Sequence, residues 1–262
     1  MWGAIIGDLA GSIYEFDQTK NIVPVTVDQI IETNAFFSDD TILTIAVLEA
    51  FLTNKDYEHS LKKYALKYLD YKPNYEPYFQ RPFSPGFIKW AKGNEVGTST
   101  GNGAMMRISP VGYLSSSLEE LQENAISATI PSHNTKEALY GAEIVAKIIF
   151  LARRGLKKEE ILKELNINLE YKPFTKFNMT CQDTINNCLF ALFTSNSYEE
   201  AIRKIISYGG DTDTNACIVG SMAEALFGLE PSLIEIATQK IPEEFTQIIQ
   251  EGYTYCKKIN LT

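Results

Sequence analysis

The sequence predicts an all-α protein, a single domain over residues 1–262, and three observations predict it. Apolar residues recur at helical spacing along most of the chain. The one strand-like run, residues 22–27, is short and broken by Pro24. With 45% apolar residues among 262, the chain can close a large core, and no segment is rich enough in Gly, Ser or Pro to be a flexible linker.

At the N-terminus, small residues at 3, 4, 7, 10 and 11 permit close helix packing, and Asp8 and Glu15 would share a face two helical turns apart. Ser38 is a natural N-cap for an apolar helix carrying Ile42, Leu43, Ile45, Ala46, Val47, Leu48 and Phe51. Leu61, Tyr64, Ala65, Tyr68 and Leu69 keep the next apolar face. Two irregular stretches follow, 72–85 with Pro73, Pro77, Pro82 and Pro85, and 93–110 with Gly97, Gly101 and Gly103. Both exceed a usual helix connection and read as functional loops or lids. Helices are then expected at 118–129, 135–153, 158–165, 181–194, 198–206, 213–227, 232–238 and 242–257.

A net charge of −9 sets the protein's own field against nucleic acid and anionic lipid, so neither is an expected partner. Cys181, Cys188, Cys217 and Cys256 have no Cys-x-x-Cys or Cys/His ligand spacing and read as reduced core thiols. Asp8 and Glu15 interrupt the apolar start before a signal-peptide core could complete, and no run approaches a membrane span. A cytoplasmic enzyme is the expectation.

The chemistry concentrates in two acidic clusters that each open an apolar helix. In Tyr208-Gly209-Gly210-Asp211-Thr212-Asp213-Thr214, the glycines let the backbone turn sharply and approach a ligand, Asp211 and Asp213 can face one side, and Thr214 adds a neutral oxygen. In Ser38-Asp39-Asp40-Thr41, a cap and two carboxylates fill a first turn. Asp, Ser and Thr at helix starts are also ordinary caps, and a helix N-terminus repels cations, so capping and metal binding both remain open for each cluster alone. Together, four Asp residues would balance two divalent cations, and all-oxygen ligation favours Mg²⁺, Mn²⁺ or Ca²⁺ over zinc. Gly101-Asn102-Gly103-Ala104-Met105-Met106-Arg107 resembles a phosphate cradle but lacks the Lys-Ser/Thr of a Walker loop. Arg107 suits either a phosphate or a structural carboxylate. His133 precedes a long helix and suits either a ligand or a structural hydrogen bond, whereas His59 belongs to a polar helix face.

In order along residues 3 to about 228, the motifs Gly-Asp-x-x-Gly-x-x-x-Glu at 7–15, Ser-Asp-Asp-Thr at 38–41, Gly-Asn-Gly-Ala-Met-Met-Arg at 101–107, Ser-His at 132–133 and Gly-Gly-Asp-Thr-Asp-Thr at 209–214 resemble the ADP-ribosylglycohydrolase family, including its dinitrogenase reductase-activating members. The resemblance implies a compact orthogonal multi-helix bundle with two Mg²⁺ or Mn²⁺ ions. By position, Ser38, Asp39 and Asp40 would face Asp211, Asp213 and Thr214 across the metals. Ser38 stands where the family often has Thr, which keeps the hydroxyl. Glu15 would sit at the ligand entrance, while Gly101, Asn102, Gly103 and Met105, with Gly209 and Gly210, would bind ADP-ribose. His133 would line the pyrophosphate or ribose, and Asp8 would order the fold. The implied reaction is hydrolysis at C1 of the distal ribose of an ADP-ribosylated protein or small conjugate, with Asp40, Asp39 or Glu15 as the base. A non-catalytic ADP-ribose reader and a pyrophosphate-cutting phosphoesterase are the rival readings.

Overall fold

The computed structural model describes residues 1–73, 75, 82–93 and 95–259. Along the chain lie α1 (Trp2–Gly11), α2 (Glu15–Gln18), α3 (Asp39–Leu52), α4 (Tyr57–Lys67), α5 (Pro85–Lys92), α6 (Gly103–Met106), α7 (Ser109–Leu114), α8 (Leu118–His133), α9 (Lys136–Arg153), α10 (Lys158–Glu164), α11 (Cys181–Phe193), α12 (Tyr198–Ser207), α13 (Thr212–Phe227), α14 (Pro231–Thr238) and α15 (Glu243–Ile259). Among the described residues there is no strand, only isolated bridges between Thr98 and His133 and between Gly101 and Thr180. The run at 22–27 is irregular backbone.

The centre of the bundle is the pairing of α1 with α13. Every residue of α1 is buried. Its glycines stand four apart on the face toward α13: a Cβ on Gly3 would lie 2.2 Å from the Gly220 carbonyl, on Gly7 2.1 Å from that of Ala216, and on Gly11 2.2 Å from that of Thr212. No other residue type allows this approach, which sets Asp8 of α1 beside the first turn of α13. Asp8 in turn organises the start of α3: its Oδ2 accepts from the Ser38 amide at 2.9 Å, the Thr41 amide at 3.1 Å and the Thr41 hydroxyl at 2.5 Å. The expected role of Asp8 in ordering the fold is therefore visible in its bonds. Its expected face-sharing with Glu15 is not, because α1 ends at Gly11 and Glu15 opens α2.

Three helices, α2, α5 and α7, lie where the sequence suggested loops or nothing, while α6 is the short helix into which the glycine loop was expected to lead. The α5 helix is capped by Ser84, whose Oγ accepts from the Phe87 amide at 3.2 Å, and Pro85 fits its first turn. The short α2, α6 and α7 span too few residues to show an apolar period. The helix expected over 118–129 extends further: α8 runs through Pro131 to His133. The carbonyl of Pro131 accepts from the Gly97 amide at 2.8 Å and that of Ser132 from the Ser99 amide at 3.3 Å, so a neighbouring segment satisfies this helix end. His133 thus closes α8 instead of opening α9. Of the stretch 72–85 expected as a lid-like loop, residues 74 and 76–81, Pro77 among them, lie outside the described residues, as does residue 94 of the second stretch. All four cysteines are free and buried. Among the described residues no helix is long and apolar enough to cross a membrane.

Candidate active site

The N-termini of α3 and α13 converge on the floor of a cavity of about 820 Å³. Ser38, Asp39, Glu15, Asp211, Asp213 and Thr214 line this floor, with Gly101, Asn102 and Gly103 on one wall, His133 above them, and Phe83, Phe87, Trp90 and Phe177 supplying apolar surface. Asp40 lies behind the floor: Ser38 and Thr214 hydroxyls each donate to its Oδ2 at 3.2 Å. The two acidic clusters, about 170 residues apart in sequence, are one assembly.

Its electrostatics are those of an unpaired anion cluster. Asp8, Asp40 and Asp213 present oxygens within 4.8 Å of one another, and so do Glu15, Asp211 and Asp213, so the two groups share Asp213. At that spacing each charged pair repels by about 3.5 kcal/mol or more at an effective dielectric near 20. Burial, then the charge of Asp213, pushes Asp8 up to about 7. Burial pushes Asp211 up to about 6. Glu15, Asp39 and Asp40 rise well above the carboxylate range through burial and then the charge of Asp213, and Asp213 itself rises through burial and Asp211. No Lys or Arg forms an ion pair with any of them among the described residues. Asp8 Oδ1 and Asp40 Oδ1 are buried without a hydrogen-bond partner there. Hard oxygen donors, mutual repulsion and orphaned acceptor atoms fit a divalent cation such as Mg²⁺ or Mn²⁺.

Neutral side chains hold this floor rigid. Asn102 Nδ2 donates to Asp211 Oδ2 at 2.6 Å, tying the glycine loop to the acids. Asn178 Oδ1 accepts from the Asp211 amide at 2.9 Å, while its Nδ2 donates to Asn215 Oδ1 and Thr184 Oγ1, each at 2.8 Å. Gly209 and Gly210 have φ of 72° and 79° and line no part of the cavity. A Cβ on Gly210 would lie 2.1 Å from Asn178 Oδ1, so the glycine pair makes the turn that aims Asp211. Asn215 closes the glycine-aspartate stretch that the sequence singles out, whereas Asn178 and Thr184 were invisible in the sequence, since an isolated polar residue carries no periodic or motif signal. Met105 is also away from the cavity, fully buried against Gly141, and Met106 lines the wall instead.

On the glycine-loop wall, a Cβ on Gly101 would lie 3.4 Å from His133 Nε2 and one on Gly103 3.5 Å, so the glycines leave that ring edge uncovered. Burial, then nearby Arg107, pushes His133 well below the usual histidine range. Arg107 is itself fully buried and meets no carboxylate within ion-pair distance.

The family described as ADP-ribosylglycohydrolase matches residues 1–260. ADP-ribosylarginine hydrolase Tri1 of Pseudomonas putida (strain GB-1) is 28% identical over 157 residues, an alignment covering 54% of this chain and 42% of Tri1, less than half its length. ADP-ribosylhydrolase ARH3 of Mus musculus is 21% identical over 326 residues, covering 94% of this chain and 85% of the relative. A solved structure titled as an ADP-ribosylglycohydrolase-related protein complex superposes with a TM-score of 0.69 at 21% identity, over 98% of this chain and 94% of that one, which shows the same fold. With its paired acidic helix starts, glycine loop and near-complete family match, this chain belongs to the ADP-ribosylglycohydrolase family.

Proposed function

We propose that this protein is a metal-dependent hydrolase that removes ADP-ribose from a modified acceptor by cleaving the glycosidic bond at C1 of the distal ribose. The observation that carries this reading is the shared carboxylate floor, with two groups of three acids meeting at Asp213 beneath a glycine loop in one cavity. Ser38, Asp39, Asp40, Asp211, Asp213 and Thr214 would hold two Mg²⁺ or Mn²⁺ ions; Asp40, Asp211 and Asp213 belong to the two oxygen groups, which also take in Asp8 and Glu15, whereas Ser38, Asp39 and Thr214 line the cavity beside them. Such ions, when bound, neutralise the acids, lower the pKa of water and grip vicinal hydroxyls.

The chain's own residues do the rest. The glycine loop and His133 bind and orient ADP-ribose, and Phe83, Phe87, Trp90 and Phe177 exclude water from the upper cavity. Of the three acids read as candidate bases, Asp39 and Glu15 line the cavity, whereas the Oδ2 of Asp40 is occupied by two hydroxyls. Asp39 or Glu15 accordingly takes the proton of the attacking water as its oxygen bonds to C1 and the acceptor leaves with the C1 bonding pair, through an oxocarbenium-like transition state.

The name of Tri1 places an arginine conjugate first among acceptors to test, followed by serine, esters and nucleobases. The test is mass-resolved product analysis on matched arginine- and serine-modified peptides with Mg²⁺ or Mn²⁺ and with EDTA. Release of intact ADP-ribose that stops with EDTA is the expected result. AMP as product would replace this reading with pyrophosphate cleavage, and ADP-ribose binding without release from any conjugate would replace it with a reader.

A further inference from the structure

Arg107 borders the cavity assigned to ADP-ribose, yet it exposes no surface with which to meet the ligand. Its side chain is 0% exposed. Nη2 donates to the Ala128 carbonyl at 3.1 Å and to Ser132 Oγ at 2.7 Å, while Nε and Nη1 find no partner among the described residues. A guanidinium buried with unused donors is costly where an apolar side chain of similar length would fill the space, so packing alone gives no reason for it.

The reason lies one bond further on. Ser132 Oγ is 2.7 Å from His133 Nδ1. Arg107 has only donors, so toward it Ser132 Oγ must accept. The hydroxyl hydrogen of Ser132 then needs an acceptor of its own, and His133 Nδ1 is the remaining hydrogen-bond partner of that oxygen among the described residues. A nitrogen that accepts carries no proton, which leaves the imidazole hydrogen on Nε2, the edge facing Gly101 and Gly103. The reverse arrangement, with a protonated Nδ1 donating to Ser132, would strand a buried hydroxyl hydrogen. A doubly protonated ring would do the same beside a buried guanidinium. The ring is also fixed in place: His133 is 4% exposed and bridges to Thr98, and a Cβ on Gly97 would lie 2.3 Å from the Ser132 carbonyl.

We propose that Arg107 and Ser132 are positioning residues that lock His133 in its Nε2–H tautomer, making it a neutral hydrogen-bond donor to an oxygen of the ligand held by the glycine loop. The ligand half of this inference rests on the assignment of the cavity to ADP-ribose; the tautomer half does not. Arginine suits the task because its charge persists at every working pH and its planar fork holds Ser132 and the Ala128 carbonyl at once.

The protein has two histidines, so a two-bond ¹H–¹⁵N correlation spectrum of the labelled protein resolves both rings, with His59→Gln identifying the other. The expected spectrum at pH 7 shows His133 with a protonated Nε2 and a bare Nδ1. In Ser132→Ala both tautomers become populated and ADP-ribose affinity, read by calorimetry, falls about tenfold, the worth of one hydrogen bond. A protonated Nδ1 in the unaltered protein, singly or with Nε2, overturns the relay without need of any variant. Identical ring spectra in the unaltered protein and in Ser132→Ala overturn it too. The expected tautomer with unchanged ADP-ribose affinity in both Ser132→Ala and His133→Ala overturns the donor role. Failure of the conjugate-hydrolysis assay, by contrast, would strike the proposed activity and leave the tautomer assignment standing.

Discussion

Replacing Asp8 by asparagine separates the two jobs this side chain holds. Its Oδ2 accepts three hydrogen bonds that shape the start of α3, and an asparagine amide oxygen keeps an acceptor with two lone pairs at that position for the Ser38 and Thr41 donors. Its other oxygen, Oδ1, has no hydrogen-bond partner among the described residues, and the carboxylate lies in the group with Asp40 and Asp213. Burial and Asp213 raise Asp8 from the ordinary 3.8 to about 7. The folded protein therefore holds this proton more tightly than the unfolded chain. Stability from that proton is complete below about pH 4 and is lost as pH rises through about 7. The shift corresponds to a penalty on the order of 1 kcal/mol at pH 5 growing to a few kcal/mol at pH 8, a ceiling because protonation is shared with Asp213. In EDTA, the stability of Asp8→Asn relative to the unaltered protein should rise from pH 5 to pH 8 by an amount on the order of 2 kcal/mol at most, measured by urea unfolding. Saturating Mn²⁺ should stabilise the unaltered protein more than Asp8→Asn. A pH-independent difference between the two proteins in EDTA would refute the claim that Asp8 is an uncompensated buried carboxylate.

The remaining expectations concern the floor and the helix pair beneath it. Asp213 belongs to both oxygen groups, so Asp213→Ala should abolish turnover and Mn²⁺ binding by calorimetry while leaving the far-ultraviolet dichroism intact; substantial activity in a folded, metal-free variant would defeat the metal scheme. Ser38→Ala removes both the cap of α3 and a floor oxygen, costing about 1 kcal/mol of stability in urea unfolding, and Ser38→Thr should recover stability and activity together. Gly7→Ala places a methyl 2.1 Å from the Ala216 carbonyl; it should destabilise by about 1 to 3 kcal/mol and weaken Mn²⁺ binding by moving Asp8 relative to α13, and a change below about 0.5 kcal/mol would contradict the packing argument.

What was legible in the sequence follows from how each feature is encoded. The apolar faces of α3, α9 and α13 repeat over many residues, so their helices read directly, while the single turns of α2 and α6 cannot display a period. The acidic clusters read as metal-ligand candidates because Ser38 to Asp40 and Asp211 to Thr214 exceed what capping needs, and the structure gathers both around one cavity. Asp8 was half read: its bonds to Ser38 and Thr41 order α3 as expected, but its place among the oxygens near Asp40 depends on a helix pairing across about 200 residues. The family resemblance implies Met105 as a ligand contact; helical geometry turns it toward Gly141 and presents Met106 to the cavity. The last turn of α8, with His133 at its end, was not legible because the hydrogen bonds from Gly97 and Ser99 that support it come from a distant segment.

The glycine spacing on α1 connects these observations to function. Packing α1 against α13 at backbone contact forces Asp8, Asp213 and the start of α3 into one small volume. Left alone, that volume concentrates repulsion, and the raised carboxylates show the fold responding by retaining protons. Protons and divalent cations therefore compete for the same oxygens, and cation affinity should climb as pH rises from about 5 to about 8. Part of the free energy of burying apolar surface along α1 and α13 is thus held as unfavourable electrostatics at the cavity floor, which binding of the proposed cation would release. Titrating Mn²⁺ at several pH values reads this coupling directly: tightening with pH, with proton release on binding, is the expected behaviour, and a pH-independent affinity would show that the carboxylates are already ionised and that the floor carries no such strain.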